Sequence, residues 1–154
     1  MDYTYDELDD YIDRLCRRLN ITKVPLSLDS TINTSFNSVT FGHESYINVN
    51  PFCSHVNIMP IETILAHEVR HAWQYANNML KPLPFYGKGL QWLGKVMPYT
   101  WHTAPWEIDA VNFENEIAIE LGYPILRFVN NGTIFTLDKP SELNLEQKQL
   151  ALRA

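Results

Sequence analysis

Apolar residues recur at helical spacing from Tyr5 to Leu19, where Leu8, Tyr11, Ile12, Leu15 and Leu19 fall on one face. Thr4 and Glu7 stand at the spacing of a capping box at its start, and Asn20 and Pro25 end it. The period then shortens to two. Val24, Leu26 and Leu28 alternate with polar residues, Thr31 to Phe41 alternates more loosely, and Ser45–Asn50 reads as a clean strand that Pro51 terminates. Residues 24–50 are therefore expected to form a three-stranded, mainly antiparallel sheet. Helical spacing returns from Pro60 to about Asn78, with Ile61, Ile64, Leu65, Val69, Ala72 and Tyr75 on the apolar face.

Residues 81–106 break the pattern with four prolines, three glycines and the aromatics Phe85, Tyr86, Trp92, Tyr99, Trp101 and Trp106. A connection of that length usually carries function or an element of its own, and Gly89–Val96 reads as a short helix. Its aromatics are expected to pack over the sheet, with a substrate pocket, a lid or a membrane-touching flap as the other readings. A third helix is expected from about Pro105 to Leu121, with proline in its first turn and Gly122 at its end. Ile125–Val129 and Thr133–Leu137 flank Asn131-Gly132 as a hairpin, and Ser141 to about Leu152 closes the chain as an amphipathic helix. The fold class implied is α+β, in a single domain spanning residues 1–154.

Composition narrows the function classes. At 154 residues with 45% hydrophobic and 19% charged residues, the chain suits an ordinary globular domain with one core. A net charge of -6 argues against a nucleic-acid partner, which calls for clustered Lys and Arg. The acidic cluster Asp2, Asp6, Glu7, Asp9, Asp10 and Asp13 reads as a solvated helix face. Cys16 and Cys53 have no metal-ligand spacing and are expected to be free thiols. No apolar run reaches spanning length and the first residues lack the basic and apolar regions of a signal peptide. The expectation is a cytoplasmic protein without a membrane partner. Nothing in the pattern specifies an oligomeric state.

The second helix carries the chemistry, in His67-Glu68-Val69-Arg70-His71. Histidines four apart project from one helix face, so both imidazoles can grip one zinc ion. Glu68, beside the first ligand, can take the proton of a zinc-bound water whose pKa the ion lowers. Five histidines and ten glutamates in this chain would produce the pattern by chance about 0.01 times. A catalytic zinc needs a third protein ligand, and Glu107 at the start of the third helix is the leading candidate, ahead of Asp109 and then His102. With Glu107 on the metal, Asp109 or Asn112 would be placed to orient an imidazole. Arg70 should point away from the metal toward a carboxylate. Trp73 is expected to anchor the core, and His43 and His55 to be ordinary surface or turn histidines.

The motif followed by Glu107 about 36 residues later resembles the gluzincin class of metallopeptidases, and the short chain resembles its minimal single-domain members. Glu107-Ile108-Asp109-Ala110-Val111-Asn112-Phe113 is also similar to the Glu-x-x-Ala-Asn-x-Phe pattern of the ImmA/IrrE metallopeptidases, with Val111 where that family has Asn and Asn112 one place late. The resemblance spans roughly residues 45–122. It implies a zincin-like fold and a peptide or protein substrate, paired with an edge strand lining the cleft, here Ser45–Asn50. It also implies a Tyr or His donor for the oxyanion, for which Tyr99 and His102 are the candidates, ahead of Tyr123. The function expected is peptide-bond hydrolysis by a zinc-bound water that Glu68 activates. The alternatives are a zincin-fold binding module without proteolytic activity and a zinc hydrolase of a non-peptide amide.

Overall fold

The computed structural model describes residues 3–28, 36–41, 44–49, 60–82, 89–98, 104–128 and 134–136. The first helix, α1, runs Tyr5–Arg18. Thr4 caps it: its hydroxyl accepts from the Glu7 amide at 3.2 Å while Glu7 reaches back to the Thr4 amide, the reciprocal pair expected from the sequence. At its other end Asn20 takes a positive φ of 55°, and the Ile21 and Asn20 amides bond to the Cys16 and Arg17 carbonyls. These are the two bonds of a Schellman ending. The second helix, α2 (Ile61–Ala76), stops the same way at Asn78, and the third, α3 (Pro105–Leu121), at Gly122. Each helix thus ends where a residue tolerant of the left-handed region is available. Pro60 caps α2 from outside in extended geometry, whereas Pro105 opens α3 from within its first turn.

The first sheet contains β1 (Leu26–Leu28), β2 (Phe36–Phe41) and β3 (Glu44–Val49) in the order β1-β3-β2. β2 and β3 pair antiparallel, with Phe41 opposite Glu44, but β1 runs parallel to β3, with Leu26 beside Ile47. The sheet is therefore mixed, and the expected edge strand is its centre. β3 has neighbours on both sides, so the edges belong to β1 and β2. Ile47 and Val49 are buried against the helices.

Between α2 and α3 lies the largest departure from expectation. Gly89–Val96 is a hairpin, not a helix: β5 (Gly89–Trp92) turns through Leu93 and Gly94 into β6 (Lys95–Pro98), and β4 (Leu80–Pro82) pairs with β5. Leu93 and Gly94 both have positive φ, 50° and 83°, which a right-handed helix excludes and a tight hairpin turn of the primed type requires. Leu80, after the end of α2, supplies the pairing edge that local periodicity does not reveal. Trp92 from β5 packs on Trp106 with ring centroids 6.5 Å apart. The later hairpin is as expected: β7 (Leu126–Phe128) pairs antiparallel with β8 (Ile134–Thr136). The expected helix from Ser141 lies outside the described residues.

One core joins the three helices to the first sheet, and a smaller cluster of Leu80, Ala104 and Trp106 lies under the second sheet with Trp92 packed against it. Leu8, Ile12 and Leu15 of α1, Ile47 and Val49 of β3, Leu65 and Val69 of α2, and Phe113 and Ile117 of α3 form a single buried cluster. The most extensive helix packing is α2 on α3, and it builds the site. At the far ends, Arg18 spans Glu116 and Glu120, tying α1 to α3. The acidic face of α1 is solvated as expected, with Asp10–Arg14 and Asp13–Arg17 ion pairs one turn apart. Cys16 is a free, buried thiol, and burial pushes its pKa up. Among the described residues no helix is long and apolar enough to cross a membrane.

Candidate metal centre

Helical periodicity places His67 and His71 on one face of α2, and packing brings Glu107, in the first turn of α3, against them. One ligand atom from each of the three lies within 4.8 Å of the others. His67 Nε2 is 3.0 Å from Glu107 Oε2, His71 Nε2 is 3.1 Å from Glu107 Oε1, and the two Nε2 atoms are 3.1 Å apart. A tetrahedral zinc with bonds of about 2.0–2.1 Å spaces its ligand atoms roughly 3.3–3.4 Å apart. The residues fit such an ion with small adjustments of side chains.

The outer nitrogens of both rings are committed. His67 Nδ1 donates to Glu114 Oε1 at 2.9 Å, and His71 Nδ1 donates to Gln74 Oε1 at 2.9 Å. Each acceptor is buried, Gln74 completely. With the Nδ1 atoms serving as donors, both neutral imidazoles present Nε2 lone pairs to a carboxylate. Three groups that only accept converge on one point, and such a cluster is stable only with a cation among them, either a proton or a metal. Without a metal the proton fills this role. Burial works against a charged His67, yet the hydrogen bonds it donates to Glu107 and Glu114 hold its pKa well above the ordinary imidazole value. Burial likewise pushes the Glu107 carboxyl up, but His67 and His71 outweigh it and hold it well below the usual carboxylate range.

Glu68, partly buried, adds its negative charge to those acting on His67. Arg70 turns to a carboxylate as expected, holding Asp109 through Nε at 2.8 Å and a second nitrogen at 3.1 Å. Asp109 therefore faces Arg70 and Gln74 and not the cluster. It does not orient an imidazole directly, and neither does Asn112, whose buried Oδ1 has no hydrogen-bond partner. Trp73 is not a core anchor: it is half-buried, and the Arg70 guanidinium lies 3.6 Å from its ring centroid. The Tyr123 hydroxyl donates to Glu62 at 3.3 Å, at the start of α2, where Tyr3 also bonds. Tyr99, His102, His43 and His55 lie outside the described residues.

Two residues of this centre escape the sequence reading, Glu114 and Gln74. Both carried a signal. Glu114 lies seven residues after Glu107 and Gln74 seven after His67, two helical turns on and so on the same faces as those residues. Comparison of the chain with protein-family models, curated proteins and solved structures found no match.

Proposed function

We propose that this protein is a zinc-dependent metallopeptidase of the gluzincin kind, with a single zincin-like domain acting in the cytoplasm. His67, His71 and Glu107 hold the ion. The observation that carries this reading is the convergence of two imidazole nitrogens and one carboxylate at 3.0–3.1 Å, each imidazole backed by its own acceptor. When bound, zinc supplies Lewis acidity and makes a water molecule acidic near neutral pH.

The protein's own groups do the rest. Glu68 follows the first ligand in sequence, uses its carboxylate as the general base toward the attacking water, and passes the proton to the leaving amine. Glu114 and Gln74 keep the imidazoles turned with Nε2 inward. Tyr99 or His102 donates to the carbonyl oxygen as it gains charge. A peptide or protein is the substrate class that the motif and its resemblance favour.

Metal analysis of protein prepared without chelators tests the first half. About one equivalent of zinc is expected, and less than about one-tenth would overturn the assignment. Glu68→Gln tests the second half. It leaves the ligands untouched, so zinc content should persist while hydrolysis of a peptide library is lost. Undiminished hydrolysis in that variant would remove Glu68 as the base.

A further inference from the structure

Arg70 occupies the fourth position of the motif but is not in the ligand cluster, and its side chain is pinned from two directions. Its guanidinium lies over the Trp73 ring and grips both oxygens of Asp109. Asp109 Oδ2 also accepts from Gln74 Nε2 at 2.8 Å, and the other hydrogen of that amide goes to the Trp106 carbonyl at 2.9 Å. A carboxylate and a backbone carbonyl can only accept, so the Gln74 amide nitrogen must face them. Its oxygen must then face His71 Nδ1, and that nitrogen must carry the ring proton.

We propose that Arg70, Asp109 and Gln74 form a relay that selects the Nδ1–H tautomer of His71 and so leaves its Nε2 lone pair free. Arg70 is thereby a positioning residue, acting on His71 through two intervening side chains. The planar fork matters because it holds Asp109, about a quarter exposed, in the one orientation that also receives Gln74. Without it Asp109 can turn to water, and the Gln74 amide loses one of the two acceptors that prevent its reversal. A reversed amide would offer N–H to Nδ1, favour the proton on Nε2, and block the nitrogen that would ligate. The two rings are thus set differently, His67 by a carboxylate and His71 by a neutral amide whose direction comes from Arg70.

The consequence for metal affinity rests on the metallopeptidase reading, but the tautomer does not, and this separates the two in one experiment. Imidazole nitrogen-15 shifts are measured on metal-free protein at alkaline pH, for the wild type, Arg70→Gln and Asp109→Ala, each checked for folding by thermal melting. The wild type should show a protonated Nδ1 and a bare Nε2 at His71. Both variants should show mixed tautomers at His71 with His67 unchanged, a selective effect that general loosening of the fold would not produce. Zinc affinity by chelator competition should fall about tenfold in Arg70→Gln. A proton on Nε2 of His71 in the wild type, or an unmoved tautomer in both variants, overturns the relay. Zinc binding with an unmoved tautomer removes the relay and keeps the metal reading. The expected tautomer shifts in a protein that binds no zinc keep the relay and remove the metal reading.

Discussion

Glu114→Gln replaces the carboxylate that faces the outer nitrogen of His67 while preserving the volume of a side chain only 4% exposed. The lost contact is a 2.9 Å hydrogen bond from an imidazole to a charged acceptor in a buried setting. Hydrogen bonds to charged groups contribute about 1.5–3 kcal/mol and neutral ones about 0.5–1.5 kcal/mol. A glutamine oxygen can still accept from Nδ1, so the difference is about 1–1.5 kcal/mol. At about 1.4 kcal/mol per factor of ten, zinc affinity should fall about tenfold. Glutamine can also present its N–H to the ring, which would favour a proton on Nε2 and deepen the loss. Chelator-competition titration of wild type and variant reads the change directly, with melting of the metal-free proteins as a control for packing. Affinities within about twofold of each other would show that the Glu114 charge does not act on the ion through His67.

Acidity gives a second test with opposite signs in the two forms. In metal-free protein the folded pKa of His67 is raised, so its stabilising contribution is present below the unfolded imidazole value and lost as pH rises through the raised value. Glu107, with a lowered pKa, contributes above the unfolded carboxylate value and loses that contribution as pH falls through its folded value. Metal must displace the proton on His67, so zinc affinity should rise with pH over the window in which the metal-free protein weakens, and parallel melting curves with and without chelator would refute this. At the β5–β6 turn, Gly94→Ala should destabilise by about 1–2 kcal/mol through the backbone alone, since a Cβ there meets nothing within 4 Å. Leu93→Asn should shift the denaturation midpoint the other way, and an unchanged midpoint for Gly94→Ala would contradict the turn geometry.

The three helices were legible because their signals are local. The Thr4–Glu7 capping box, Pro105 in a first turn and the left-handed stops at Asn20 and Gly122 act within a few residues of one another. Sheet features depend on partners far along the chain. Gly89–Val96 reads as a helix until Leu80–Pro82 supplies a strand to pair with, and Ser45–Asn50 reads as an edge until β1 returns on its other side. The buried face of α3 hid for a related reason. Glu114 and Asn115 are buried, whereas a periodicity reading assigns charged and amide residues to solvent.

By itself, the sequence determined the spacing of His67 and His71, because a helical turn brings residues four apart onto one face whatever surrounds it. It also placed Glu68 beside the first of them and an acidic residue at the start of a later helix. Only the packing of α2 against α3 decided that Glu107 meets the two imidazoles while Asp109, two residues on, turns to Arg70. The same packing brought Glu114 to the outer nitrogen of His67 and fixed the direction of the Gln74 amide, which meets that of His71 within α2. The spacing of the two histidines is a property of one helix, whereas ring orientation and proton position depend on α3, through Glu114 directly and through the Asp109 and Trp106 acceptors that orient Gln74, and no local pattern records its approach.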